Sequence, residues 1–371
     1  MQRTVFVVFS FFCLLLVGTP AAGAHARYNN CNAANAVFKG RTPYVGISDA
    51  VVGTESAANM NCTLGRIAAA HLGLFRGALD WQLVEYPRSG TYNWGYYDTA
   101  IALMAKHRIR FLPGFLGTPS WDAAGNSKTG FNPPKASALP AFANFVTAAV
   151  KRYGPHGSFW TSHPNLPYLP VTSWQVWNEP NLPIFWAPKP NPKAYVQLLK
   201  TADQAVKRAD RKATVVSAGT PFLSTGGAQT WLGPLLADGG ARYMDALALH
   251  YYGGSMNTLK AILSRARHDL NAHGGRHKSL WITETGYAGG PPNVDRPSQA
   301  GQRNSANALF SMVSKNRKAL NIAHVLWYGW VDHVQAQPAN WWGNNLGLTM
   351  SWGAPKLALS TVSSWAARLD R

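Results

Sequence analysis

Charge is scarce in this chain, and acid is the scarcest part of it. Only 14% of the 371 residues are charged, and 35 Lys and Arg face 16 Asp and Glu, a formal net charge of +19. Typical soluble domains carry about 25% charged residues. Glutamate occurs four times, as Glu55, Glu85, Glu179 and Glu284, so each can be questioned individually. Cysteine occurs three times, and the 11 His are scattered. No Cys/His cluster has zinc-ligand spacing, so no metal site is expected. No internal repeat and no domain-separating linker is visible, and no Gly-rich phosphate loop follows the first candidate strand. A disordered or fibrous chain is excluded, because 46% of residues are hydrophobic and 12% aromatic.

The start of the chain reads as an export signal over residues 1–24. Met1-Gln2-Arg3 is basic, Val5 to Val17 is almost purely apolar, and Ala22-Gly23-Ala24 offers small residues for cleavage. The apolar run is too short for a comfortable membrane span, and no other stretch is long enough. Cleavage leaves Cys31 and Cys62 in a secreted chain, where one disulfide is expected and two free buried thiols are the other reading. The basic excess suggests attraction to anionic wall polymers or acidic polysaccharide. Its Lys and Arg are dispersed, as solvated helix faces are, and no specific nucleic-acid partner is expected.

Residues 25–371 read as one domain. Eight short apolar runs are strand candidates: Tyr44–Ile47, Leu74–Ala78, Arg110–Phe115, Trp174–Trp177, Thr214–Gly219, Ala246–His250, Leu280–Glu284 and His324–Tyr328. Helical patterns lie between them, at Tyr97–His107, Leu139–Tyr153, Pro192–Asp210, Met256–Ala272, Ser298–Ala319 and Leu357–Leu369. Runs apolar on both faces, alternating with helices, are the signature of buried parallel strands. Eight of them favour a (β/α)8 barrel over an open doubly wound sheet. Three connections rich in Pro, Gly and aromatics, Gly117–Pro134, Pro155–Pro170 and Pro180–Pro192, are expected at the C-terminal ends of the strands, where such a barrel places its chemistry.

Two of the four glutamates end candidate strands. Glu179 follows Trp174-Gln175-Val176-Trp177-Asn178, and Glu284 closes Leu280-Trp281-Ile282-Thr283. In a barrel both would open into one mouth. Two facing carboxylates are what glycosidic-bond cleavage needs, one protonated to assist the leaving oxygen and one ionised to meet the sugar's developing positive charge. The other reading pairs each with a basic residue at a strand end.

Trp177-Asn178-Glu179-Pro180 resembles the fourth-strand signature of glycoside hydrolase clan A, the retaining (β/α)8 glycosidases. Trp281-Ile282-Thr283-Glu284-Thr285-Gly286 resembles the clan's seventh-strand segment. Arg76 in Leu74-Phe75-Arg76-Gly77 sits where the clan keeps an arginine, and His250-Tyr251-Tyr252 matches its His-x-Tyr pattern. The stretch from Asp80-Trp81 to Asn93-Trp94 looks like a segment shared by several clan families. The resemblance spans about residues 40–335 and is nearest to families 39 and 5. It implies Glu179 as general acid/base and Glu284 as nucleophile, about 5–5.5 Å apart. It implies that Asn178 donates to the sugar 2-hydroxyl, that Arg76 holds Glu284 ionised, and that Tyr252 hydrogen-bonds Glu284, with Tyr251 the alternative if the register slips. It further implies that His250 lines the sugar site and that Trp327 floors it. No cofactor is implied, and the expected partner is a poly- or oligosaccharide substrate.

Tryptophan is abundant, and Trp121, Trp186, Trp330, Trp341 and Trp342 fall near candidate strand ends, where they could wall sugar subsites or fill the core. Glu85 reads as a structural loop residue and Glu55 as solvated. The leading expectation is a secreted retaining glycosidase; a catalytically silent barrel that binds carbohydrate or polyanion is the alternative.

Overall fold

The structure is a computed structural model that describes residues 31–49, 55–125, 131–221, 229–290, 298–332, 342–351 and 353–370. The expected export signal lies outside them. Eight strands form a closed parallel barrel: β1 (Val45–Ser48), β2 (Leu74–Asp80), β3 (Arg110–Leu116), β4 (Ser173–Val176), β5 (Thr214–Val216), β6 (Ala246–Tyr252), β7 (Ser279–Gly286) and β8 (Ile322–Tyr328). Each pairs with its neighbours in chain order. Closure comes from β8 against β1 and from Val216 of β5 beside Ala246 of β6. A two-residue piece, Thr220–Pro221, extends β5 along β6.

Each strand is followed by a major helix: α1 (Ala57–Ala69), α2 (Gly95–Lys106), α3 (Leu139–Tyr153), α4 (Pro192–Ala209), α5 (Gln229–Ala237), α6 (Met256–Ala272), α7 (Gln299–Leu320) and α8 (Leu357–Leu369). Helix α4 shows why its segment is helical. The Asn191 side chain accepts from the Ala194 N–H at 3.0 Å, and Pro192 occupies the first turn. Tyr195, Leu198, Leu199, Ala202 and Val206 then recur on the buried face.

Strand alternation splits the apolar residues into two sets. Leu74, Leu112, Val216, Ala246, Ala248, Trp281 and Leu326 pack together inside the barrel. Their neighbours Ile47, Phe75, Val215, Leu247, Leu249, Ile282 and Val325 pack outward in the larger core that includes the helices. Both faces are therefore buried, which is why the strand runs are apolar throughout rather than alternating.

Two helices lack a clear sequence signal. In α1 the core-facing residues are interrupted by Asn59, Asn61, Thr63 and Gly65, all weak helix formers. In α5 Pro234 stands inside the helix. One expected loop placement is wrong. The Pro155–Pro170 connection, which includes a short helix at Ser158–Ser162, joins α3 to β4 and so lies at the strand-starting end, opposite the site-bearing end.

Cys31 and Cys62 form the expected disulfide, 31 residues apart in sequence. It ties the segment before β1 to α1, in which Cys62 is buried. Cross-linking a loop of this length removes chain entropy from the unfolded state. Replacing both cysteines by serine is expected to lower unfolding stability by about 3–4 kcal/mol, read as an earlier urea midpoint. An unchanged midpoint would show that the bond adds nothing.

Candidate active site

The inner wall of the barrel is apolar at its lower level and polar above it. Ser48 and Arg76 are register partners on β1 and β2, and both point inward. Gln175 of β4 joins them, accepting from the Arg76 Nε–H. On β6 the parity that puts Ala246 and Ala248 inside continues to His250 and Tyr252, while Tyr251 lies among the outer core residues and donates its hydroxyl to the Ser255 carbonyl. The register alternative is thereby resolved in favour of Tyr252.

Glu284 needs a special device. Trp281 faces in and Ile282 faces out, so Thr283 should face in and Glu284 out. The pairing of β6 with β7 slips at this point: Leu249 sits opposite Ile282, but His250 sits opposite Glu284. This irregularity adds a residue on β7 and turns Glu284 inward alongside Thr283. Re-aiming a side chain is a known use of bulges near functional sites.

Glu179 is placed by a different distortion. Beyond β4, Trp177 and Glu179 both have left-handed backbones, with φ of 72° and 41°. Such conformations cost non-glycine residues of order 1–3 kcal/mol each and persist only where surroundings fix them. Here Asn178 bridges to Gly219 and the Glu179 N–H donates to the Gly219 carbonyl at 3.0 Å. Gly219 must be glycine, because a Cβ there would fall 1.9 Å from His250 Nε2.

These elements bring Glu179, His250 and Glu284 together, each with a ligand-type atom within 4.8 Å of the others and all three fully buried. Arg76 donates to Glu284 Oε1 at 2.6 Å, to Asn178 Oδ1 at 2.7 Å and to Ser48 Oγ at 3.0 Å. The Tyr252 hydroxyl donates to Glu284 Oε2. His250 Nδ1 lies 2.7 Å from Glu179 Oε1, and its Nε2 lies 3.1 Å from Thr283 Oγ1. The Asn178 amide nitrogen is buried without a hydrogen-bond acceptor. It is thus a donor held ready for something that enters.

Burial pushes the Glu284 carboxyl above the ordinary carboxylate range, while the Arg76 guanidinium and the Tyr252 hydroxyl pull it back. Burial, with Arg76 adding to it, holds His250 well below its usual value, so the imidazole is neutral. Three ligand-type side chains this close could in distance terms share a cation. Arg76 already supplies the positive charge at Glu284, however, and a metal would have to compete with that ion pair.

Several expected side chains lie elsewhere. Trp327 does not floor this pocket. It is the register partner of Ile47 and points to the outer core, with its indole N–H on the Leu346 carbonyl at 2.9 Å. Alternation gives the inward position to Tyr328, which packs edge-on to Tyr252 at 5.9 Å. Trp186 and Trp330 are buried core residues rather than subsite walls; Trp186 packs edge-on to Trp177 and Tyr195. Trp121 is exposed on the connection after β3, and its carbonyl accepts from Lys135 Nζ at 3.0 Å. Trp341 and the side chain of Trp342 lie outside the described residues. Glu85 is a buried loop anchor that accepts from the Trp81 indole and the Gly90 N–H. Glu55 is not solvated: it is partly buried, accepts from Thr63, and is pushed up to about 7 by burial and the neighbouring Asp49. Ser48 and Gly219 belong to the site although they stood outside the motifs, and Gln175 and Thr283 belong to it although, within the strand segments quoted for the two glutamates, neither was singled out.

Residues 169–352, which include both glutamates, match the family model described as glycosyl hydrolase catalytic core. No curated protein matches the sequence. Among solved structures, the fold is similar to a family 39 glycoside hydrolase from Bacteroides cellulosilyticus, with a TM-score of 0.63 and 21% identity over 89% of this chain. This chain spans 64% of that protein's length. A family 39 β-xylosidase from Caulobacter crescentus gives a TM-score of 0.65 and 19% identity, covering 89% of this chain and 73% of that one. A family 5 glycoside hydrolase from Streptomyces cattleya gives a TM-score of 0.65 and 15% identity, covering 88% and 81%. At these identities the structural likeness establishes the (β/α)8 fold, and the segment that carries the two carboxylates is the one similar to a glycosyl hydrolase catalytic core.

Proposed function

We propose that this protein, which carries a glycosyl hydrolase catalytic core, is a secreted retaining glycosidase: an export signal over residues 1–24 followed by one catalytic domain over residues 25–371. The observation that carries the reading is the separation of the two carboxylates, whose nearer oxygens lie within 4.8 Å. Inverting enzymes need roughly 6.5–9.5 Å to admit a water, whereas retaining ones keep the groups about 5–5.5 Å apart.

In this reading Glu179 protonates the glycosidic oxygen as the C–O bond breaks, and Glu284 attacks the anomeric carbon to form a covalent glycosyl-enzyme. Glu179, now a carboxylate, takes a proton from water. That water attacks the anomeric carbon and frees Glu284. Arg76 supports the ionised form of Glu284, and the Asn178 amide donates to the sugar 2-hydroxyl as charge develops. His250 acts as a positioning residue for Glu179. Being neutral, it can match either state by tautomer. When Glu179 is protonated, its O–H donates to Nδ1 and the Nε2–H donates to Thr283. When Glu179 is ionised, the Nδ1–H donates to it and Nε2 accepts from the Thr283 hydroxyl. The substrate class is a poly- or oligosaccharide, and the chain's basic excess suits substrates set among anionic wall polymers.

Two measurements test these roles. Glu179→Ala is expected to slow glycosides with poor leaving groups by about 10²–10⁴-fold and to spare activated aryl glycosides in the first step; equal losses on both would remove Glu179 from the acid/base role. Activity requires ionised Glu284, so kcat/KM falls as pH drops through its pKa, which burial has raised. Arg76→Gln removes a lowering charge and is expected to shift that acid limb upward by about 1–3 pH units. A folded variant whose limb does not move would contradict the ion-pair role.

A further inference from the structure

The barrel has a cavity at the end opposite the paired carboxylates. It encloses about 330 Å³ where the chain enters β1, β3 and β4, within the size range of small-molecule sites. Lys39 and Arg41 reach it from the segment before β1, Arg108 and Arg110 from the turn into β3, and Tyr168 from the Pro155–Pro170 connection. No acidic residue lines it. Among the described residues none of the four cations makes an ion pair with an acid.

The segments that carry these groups are anchored. The Phe38 N–H donates to the His107 carbonyl at 2.9 Å, the Arg110 N–H to the Gly73 carbonyl at 2.8 Å, and the Val171 N–H to the Tyr153 carbonyl at 2.9 Å. Tyr168 is 55% exposed, although its ring is fixed. Its hydroxyl accepts from the His156 N–H at 2.9 Å, and Trp160 meets it edge-on at 5.7 Å.

Four cations gathered on one cavity repel each other, and they gain most from an anion placed among them. Arginine forks suit carboxylates in a two-bond geometry. An immobilised, open aromatic face offers a stacking surface to the C–H side of a sugar ring. An inorganic anion would use the cations and leave the tyrosine unused, and a neutral glycan would do the reverse. We propose that this cavity is a non-catalytic binding site for a carboxylated polysaccharide, with Arg41, Arg108, Arg110 and Lys39 taking the uronate carboxylates and Tyr168 stacking on a sugar ring. It lies at the end of the barrel opposite Glu179 and Glu284, so it would hold the protein on an acidic glycan without blocking the carboxylate pair. The proposal is independent of the glycosidase reading, because binding is measured without turnover.

The test is calorimetric binding of an oligogalacturonate to the full chain at low salt. Arg108→Gln/Arg110→Gln is expected to weaken binding about tenfold or more, and Tyr168→Ala to weaken it as well. Lys260→Gln/Arg303→Gln makes the same change in net charge at exposed helical positions and is expected to leave binding unchanged. Turnover of a small aryl glycoside should be the same in all these variants. If the two double variants weaken binding equally, the effect is net charge and the site is overturned. Competition by inorganic phosphate as effective as by the oligosaccharide, with Tyr168→Ala silent, overturns sugar recognition.

Discussion

The ion pair between Arg76 and Glu284 organises the upper barrel. Two opposite charges buried this deeply are tolerable only when paired closely and when their remaining hydrogen-bonding groups are satisfied. Arg76 meets that condition by reaching β1, β4, the segment just beyond β4 and β7 at once, through Ser48, Gln175, Asn178 and Glu284. Each partner is thereby fixed relative to the others. The polar level above an apolar barrel floor is a consequence of this one guanidinium, and so is the orientation of Asn178, whose carbonyl oxygen is committed to Arg76 and whose amide is left for a ligand.

The chain's low acid content acquires a meaning in this arrangement. Of its four glutamates, two meet inside the barrel mouth, one anchors a loop and one is half-buried beside Asp49. The local distortions follow the same division. Left-handed backbone at Trp177 and Glu179 and the slipped register at His250 and Glu284 both occur where a carboxylate must be aimed. Strain of this kind collects at functional positions because a regular strand would send one of two successive side chains the wrong way. At the opposite end of the barrel Lys39, Arg41, Arg108 and Arg110 gather without an ion pair among the described residues, so the two ends differ in charge.

Much of the fold is legible in the sequence because buried parallel strands leave continuous apolar runs, and all eight runs became strands. Helix α4 is equally plain from Asn191, Pro192 and its apolar face. The helices α1 and α5 are not, since Asn, Thr and Gly dilute one pattern and Pro234 interrupts the other. The motifs around Asn178, Glu179, His250 and Glu284 could be read as local strings, but the choice between Tyr252 and Tyr251 stayed open in the sequence and is made by strand parity in the structure. Trp327 could not be placed without the register: it is one residue from Tyr328, and one residue reverses the face. Gly219, Gln175 and Thr283 act through contacts with distant strands, for which single residues in a sequence carry no signal. The Pro155–Pro170 connection looked like a site loop by composition, yet its position between a helix and the next strand assigns it to the other end.

The most direct measurement is to trap the covalent intermediate with a fluorinated glycoside that inactivates retaining glycosidases, and to map the labelled peptide. A single glycosyl adduct on Glu284, absent in Glu284→Gln, is the predicted result. An adduct on any other residue, or inactivation that leaves no adduct, would contradict the account of the paired carboxylates given above.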